Sequence, residues 1–164
     1  MTASTGSVAL PAVVARSGRW EMVGRRGLQH LLDWSLAVGA ALILGLLAGL
    51  VVTPLVRWGT VPAPTILWAP FITFCVVALG ADLMIHVWVP LRRGGVTPGM
   101  HVVGLRVETE HGGAPGLRDY LVRWFLFTVD GLLLGLVAVV SMAVTERRQR
   151  VGDLIARTVV VRVS

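Results

Sequence analysis

The chain contains no lysine. All 15 of its basic residues are arginine, set against nine acidic ones, for a formal net charge of +6. It has a single cysteine, Cys75, which excludes an intrachain disulfide and leaves the redox compartment open. Charge is scarce at 15% of residues, whereas 55% are hydrophobic and the mean hydropathy is +0.76. That balance excludes an ordinary soluble domain and predicts an integral membrane protein. Aromatic and basic residues do not interleave, so the arginine excess is read as orientation and lipid-headgroup contact rather than nucleic-acid binding. Ser35 and Ser141 lie in apolar context without a nucleophile elbow. The run Gly94-Gly95-Val96-Thr97-Pro98-Gly99 lacks the lysine and the helix of a phosphate loop. No dense histidine or cysteine motif indicates a metal. The sequence therefore predicts no enzyme, no cofactor and no dedicated metal site. The apolar run before Arg16 is about seven residues, at the bottom of the range for a signal peptide, and no small-residue cleavage site follows the first long apolar segment, so no cleavable signal peptide is expected.

What is present is organised around residues 26 to 56. No charge occurs from Trp34 to Val56, a stretch longer than the roughly 20 residues a membrane span needs. Arg26, His30 and Asp33 recur at nearly two helical turns, and their face continues through Ala37, Ala41, Gly45 and Gly49. That stripe of small residues predicts packing against another helix, with the Leu, Ile and Val positions turned to lipid. A second apolar segment runs from about Thr65 to Val89 and carries Asp82 and His86 as i, i+4 partners. A third begins near Leu117 and reaches about Val144, with Arg118, Asp119 and Arg123 in its first turns and Asp130 within. Cys75 reads as a buried apolar filler.

Between and after these segments lie two β-like runs. Met100 to Thr109 is rich in β-branched residues and predicts a short strand; Thr158 to Val163 predicts another. Residues 1 to 19 read as a mobile N-terminal segment and 20 to 164 as one transmembrane domain. Arginine counts place the N-terminus and the connection at 90 to 118 in the cytoplasm and the loop at 58 to 64 outside. The arginine-rich tail conflicts with a third full crossing. Either the third segment crosses and the tail defies the charge rule, or it turns back near Asp130-Gly131 or Gly135. Pairing of the two β-like runs favours the second.

Asp33, Asp82 and Asp130 would each lie roughly 10 Å in from the cytoplasmic interface at 1.5 Å per residue. His30 and His86 would sit one turn nearer the cytoplasm. Three carboxylates at one depth suggest a cation or proton path, because a charge inside a membrane is normally paired or functional. The plainer reading is that Arg26 bridges Asp33 and Arg123 neutralises Asp130, tying helices together.

Arg26 before Asp33, then Gly95-Val96-Thr97-Pro98-Gly99, Gly104-Leu105-Arg106-Val107, Arg123, Arg147-Arg148-Gln149, Asp153, Ala156 and Thr158 to Val161 together resemble the RDD family of bacterial membrane proteins. The family is named for one arginine and two aspartates. The resemblance spans about residues 20 to 163 and makes Arg26 the arginine and Asp33 the first aspartate. Asp153 stands for the second, with Asp130 as its competitor. Met100 stands where the family often has Lys, and Gly152 where it often has His. Transport of ions or small solutes is suspected for the family. The expectation is thus an all-α inner-membrane protein with three apolar helical segments, the third kinked or re-entrant, and a small cytoplasmic β element. Function is read as transport of a cation, proton or small solute, or alternatively as a non-transporting scaffold or accessory subunit. Two or three spans enclose no pore, so transport implies a homo-oligomer or a larger membrane complex.

Overall fold

A computed structural model describes residues 19–130 and 136–163, with the side chains of 19 and 128–130 outside that description. The N-terminal segment expected to be mobile and the Asp130 carboxylate therefore lie outside the described residues.

Helix α1 (Arg19–Arg57) is 39 residues long. At 1.5 Å per residue it extends about 58 Å, well beyond a hydrocarbon core of about 30 Å. After a tight turn, α2 (Thr65–Leu83) continues through a π-helical turn (Met84–Trp88) into α3 (Val89–Arg92). The wide turn has a covalent cause. Pro90 lacks the N–H that would bond the His86 carbonyl, and the Val89 N–H reaches back to Met84 instead. Among the described residues, Trp20–Arg57 and Thr65–Arg92 are the two helices long and apolar enough to cross a membrane.

These two helices pack along the small-residue stripe. Ala37 and Ala41 are buried, and a Cβ on Gly45 would lie 3.2 Å from the Pro70 carbonyl oxygen and 3.4 Å from Phe74 Cβ. Gly49 makes the same kind of approach to Pro70. Close backbone contact of this type is how helices associate when lipid removes the hydrophobic drive. Leu42, Ile43, Leu46, Leu50, Leu67 and Val76 point outward from the pair. Cys75 is exposed as well, so it is an outward apolar residue rather than the buried filler expected.

The buried core lies elsewhere, around the first third of α1. Met22, Val87, Met100, Val103, Leu105, Val107, Tyr120 and Val160 form it. Helix α4 (Pro98–Val103) crosses α1 here, followed by β1 (Leu105–Thr109). The predicted strand from Met100 is thus helical up to Val103. The Thr97 hydroxyl caps α4 by accepting the Met100 N–H, Pro98 opens its first turn, and Gly104 closes it at φ +66°. Three local signals outweigh the β-branched pair Val102-Val103.

The third apolar stretch contains α5 (Leu117–Asp130) and α6 (Leu136–Val144), each shorter than a full span. The turn-back expected near Asp130-Gly131 or Gly135 falls largely outside the described residues. After α6 come α7 (Val151–Ile155), which packs on α5, and β2 (Thr158–Arg162). Strand β2 pairs antiparallel with β1, Leu105 opposite Arg162 and Thr109 opposite Thr158. Gln149, just past α6, donates to Glu110, just past β1, at 3.0 Å. Both ends of the third stretch therefore lie at the same end of the molecule.

Candidate functional site

Two buried carboxylates organise that end, and each is held by different groups. Asp153 sits in the first turn of α7. Its Oδ2 accepts from Arg26 Nη2 at 2.5 Å and from the Arg150 backbone N–H at 3.1 Å, and its Oδ1 accepts from Arg123 Nη1. Arg123 also donates to the Thr158 hydroxyl at 2.6 Å, tying β2 to α5. Arg26 donates its other Nη to the Arg148 carbonyl at 2.9 Å. Arg148 holds a left-handed φ of +53°, unusual for a residue with a side chain, within the turn that presents this carbonyl. Burial alone would raise the Asp153 carboxyl, but Arg123, then Arg26 and Arg150, bring it down from the usual 3.8 to about 2. It is an anion at any physiological pH.

Asp33 is also fully buried, yet no guanidinium contacts it among the described residues. Its Oδ1 accepts the Gly99 N–H at 2.6 Å; its Oδ2 accepts the Thr97 hydroxyl at 2.6 Å and Gln29 Nε2 at 2.8 Å. Asp33 thus anchors the start of α4 onto α1. Gly99 is required for the approach, because a Cβ there would lie 2.4 Å from the Gln29 carbonyl oxygen and 2.9 Å from Asp33 Cγ. The expected Arg26–Asp33 bridge is therefore corrected: Arg26 reaches Asp153, 127 residues away, and Asp33 takes neutral donors. Arg123 joins Asp153 too, and its expected pairing with Asp130 falls on a side chain outside the described residues.

The remaining predicted residues divide. Asp82 and His86 do pair, Oδ1 to Nδ1 at 3.1 Å, and Trp124 Nε1 donates to Asp82 Oδ2 at 2.7 Å. His30 and His86 come together, ring centroids 5.8 Å apart, with Phe127 against both. His30 Nε2 accepts from Arg150 Nη1. Asp33 and Asp82 do not share a ligand site: each spends its oxygens on separate partners. No group of three His, Cys, Asp or Glu that could hold a metal occurs among the described residues.

Between these groups lies a cavity of about 40 Å³, room for a few waters or one small ion. Arg26, Arg123 and Arg150 line it, with Asp153 as the one lining carboxylate among the described residues. Sequence reasoning missed Gln29, Thr97, Tyr120, Trp124 and Arg150 as site residues. Thr97-Pro98 was visible as a helix start, and Arg150 adjoins the Arg147-Arg148-Gln149 run. Tyr120, the one tyrosine of the chain, had no local signal.

Two helices long and apolar enough to cross a membrane, with a polar, arginine-rich cap at one end, fit a helical membrane protein. The model of the RDD family matches residues 22–157, and the chain belongs to that family. No curated protein and no solved structure matches it.

Proposed function

We propose that this chain is a multi-pass protein of the bacterial inner membrane that takes part in moving a small solute or ion, with its binding site at the cytoplasmic end. In this reading α1 and α2 span, and the stretch from 117 to 144 enters from the cytoplasm and returns to it. The pairing of β1 with β2 supports the return, and the arginines of that end support its cytoplasmic side. The observation that carries a solute site is the cavity among buried charged groups where the two spans meet the cap. The protein acts without covalent chemistry or a cofactor. Two spans enclose no channel, so the working unit is a homo-oligomer or a larger complex.

The cavity changes which solute is favoured. Among the described residues Asp153 is the one carboxylate at the cavity and three arginines already surround it, which disfavours a free cation there, and Asp33 has no oxygen left unengaged. The carboxylates thus hold the cap together rather than line a cation path. The same saturation supports a second reading, a scaffold or accessory subunit whose charges only lock helices and strands. Flux into proteoliposomes separates the two. Uptake of a small solute above that of protein-free vesicles, abolished in a folded Arg123→Gln variant, is expected. Folded protein that carries neither anions, cations nor neutral solutes would leave the scaffold.

A further inference from the structure

The two edges of the small sheet are finished differently. The Val163 N–H donates to the Gly104 carbonyl and the Glu110 N–H to the Arg157 carbonyl, each at 3.0 Å, and these bonds fix which residues face which way. Leu105, Val107 and Thr109 turn their N–H and C=O groups to the outer edge of β1; Thr158, Val160 and Arg162 turn theirs to the outer edge of β2. The chain covers the first edge itself, the Val107 N–H donating to the Gly95 carbonyl at 2.9 Å and the Thr109 N–H to the Gly113 carbonyl at 3.1 Å. Along β2 the Thr158 carbonyl accepts from Gln149 Nε2 at 2.8 Å, and no partner for the outward backbone groups of Val160 and Arg162 occurs among the described residues. An uncovered edge is a template for another strand, and proteins blunt it with proline, lysine or a bulge. Strand β2 has neither residue, and its pairing with β1 runs without a bulge. Val160 belongs to the core, so the strand cannot turn this edge away.

We propose that the β2 edge pairs antiparallel with β2 of a second copy of this chain, joining two caps through one four-stranded sheet. The register follows from the groups left free. Pairing about Val161 sets Val160 against Arg162 of the second copy, and Arg162 against Val160 of the second copy, so the unclaimed groups make four N–H···O bonds. Pairing about Val160 would need the engaged Thr158 carbonyl, and pairing about Arg162 would oppose two guanidinium groups. In the remaining register Val161 meets its own copy, and Val159 meets Val163 of the second copy. These valines lie on the face turned from the core, where Val159 and Val161 are half-buried and Val163 is 46% exposed. Opposed β-branched side chains stabilise a sheet. The edge is thus self-complementary, as a two-fold contact requires. The proposal names the contact between copies for the homo-oligomer above, and rests on that reading for placing both caps on one side of one membrane.

The test uses the full chain with Cys75→Ala, in native membranes and then purified in a neutral detergent. Mild oxidation should join Val161→Cys into a disulfide dimer, while His111→Cys, in the turn after β1, stays monomeric. Val159→Cys and Val163→Cys should crosslink to each other when coexpressed and far less when expressed alone. Arg162→Pro removes an outward N–H and none that bonds β1, so the variant should fold. It should need about tenfold more protein for the same dimer fraction by light scattering, because each dimer loses two bonds. Arg162→Gln loses the ion pair with Glu21 but keeps the N–H, and should dimerise as the wild type does. Should Arg162→Pro fail to fold, the half-buried Val161 decides: Val161→Lys and Val161→Glu should each be monomeric alone and dimerise when mixed. The proposal is overturned if the purified chain is monomeric and Val161→Cys does not crosslink, as an edge kept for another protein's strand predicts. It is also overturned if His111→Cys crosslinks as well as Val161→Cys, as chance collision predicts. Dimers of Val161→Lys alone, as strong as those of the wild type, would place the contact in the spans and overturn it too. Pairing at this edge without flux would remove the transport reading and leave the interface; flux by a chain that never pairs here would do the reverse.

Discussion

The partner of Arg26 is the sharpest point on which the sequence spacing and the three-dimensional arrangement disagree, and a mutant cycle decides it. Asp153→Asn keeps the shape of the side chain and removes its charge. Arg26 would then lose its carboxylate partner in a site where Arg26 and Asp153 are almost fully buried. Breaking a buried pair by removing one partner costs about 3–5 kcal/mol. Linkage offers a second figure. A carboxyl held at about 2 rather than 3.8 contributes about 2 kcal/mol, so the loss should fall between about 2 and 5 kcal/mol. The informative quantity is the coupling. Arg26→Gln combined with Asp153→Asn should be less damaging than the sum of the two by about 1–3 kcal/mol, as for residues in contact. Arg123 still uses Asp153 and will keep the rescue incomplete. Arg26→Gln with Asp33→Asn should instead be additive within about 0.5 kcal/mol, because the two lie about two helical turns apart and share no partner. Reversible unfolding in mixed micelles supplies each free energy. Coupling of Arg26 to Asp33, with none to Asp153, would refute the arrangement described here.

Three further outcomes are expected. Gly99→Ala should destabilise the protein by at least about 2 kcal/mol, because the new methyl meets backbone and a pinned carboxylate. Gly24→Ala, in open space on α1, should stabilise it by up to about 1 kcal/mol. In acid, the folded-state value of Asp153 lies below its unfolded value, so its contribution is complete above about pH 4 and declines as pH falls toward 2; the unfolding midpoint followed over that window should show a slope that Asp153→Asn lessens. In a Cys75→Ala background, a cysteine at Gly59 should react with an impermeant thiol reagent in intact cells and one at His111 should not, and the reverse pattern would invert the assigned orientation.

The two long helices were legible because their signal is local. Uninterrupted apolar sequence fixes α1 and α2, and the four-residue recurrence of Ala37, Ala41, Gly45 and Gly49 fixes the face that packs. The Asp82–His86 contact was equally readable, being one helical turn. Helix α4 was readable in principle from Thr97, Pro98 and Gly104, but weight given to β-branched residues hid it. The Arg26–Asp153 pair was not readable from spacing. An arginine and an aspartate two turns apart on one helix invite pairing, yet their side chains leave the helix at separate heights, and each found a nearer partner from another element. Only the resemblance to RDD proteins singled out Asp153, and it did so without saying what Asp153 touches.

The same geometry revises the argument about depth. A carboxylate roughly 10 Å inside a bilayer needs a counter-charge, and that premise made a cation path attractive. If the span of α1 is the uncharged run from Trp34 to Val56, it already covers about 35 Å. The residues before it, Met22 to Asp33, then belong to the cap, where Met22 joins the apolar core and Arg26, Gln29 and Asp33 are buried by protein rather than lipid. There, three neutral donors suffice for Asp33. A search for the function of this chain is therefore better aimed at the cavity beside the unpartnered Tyr120 hydroxyl than at Asp33, whose oxygens are engaged within the cap.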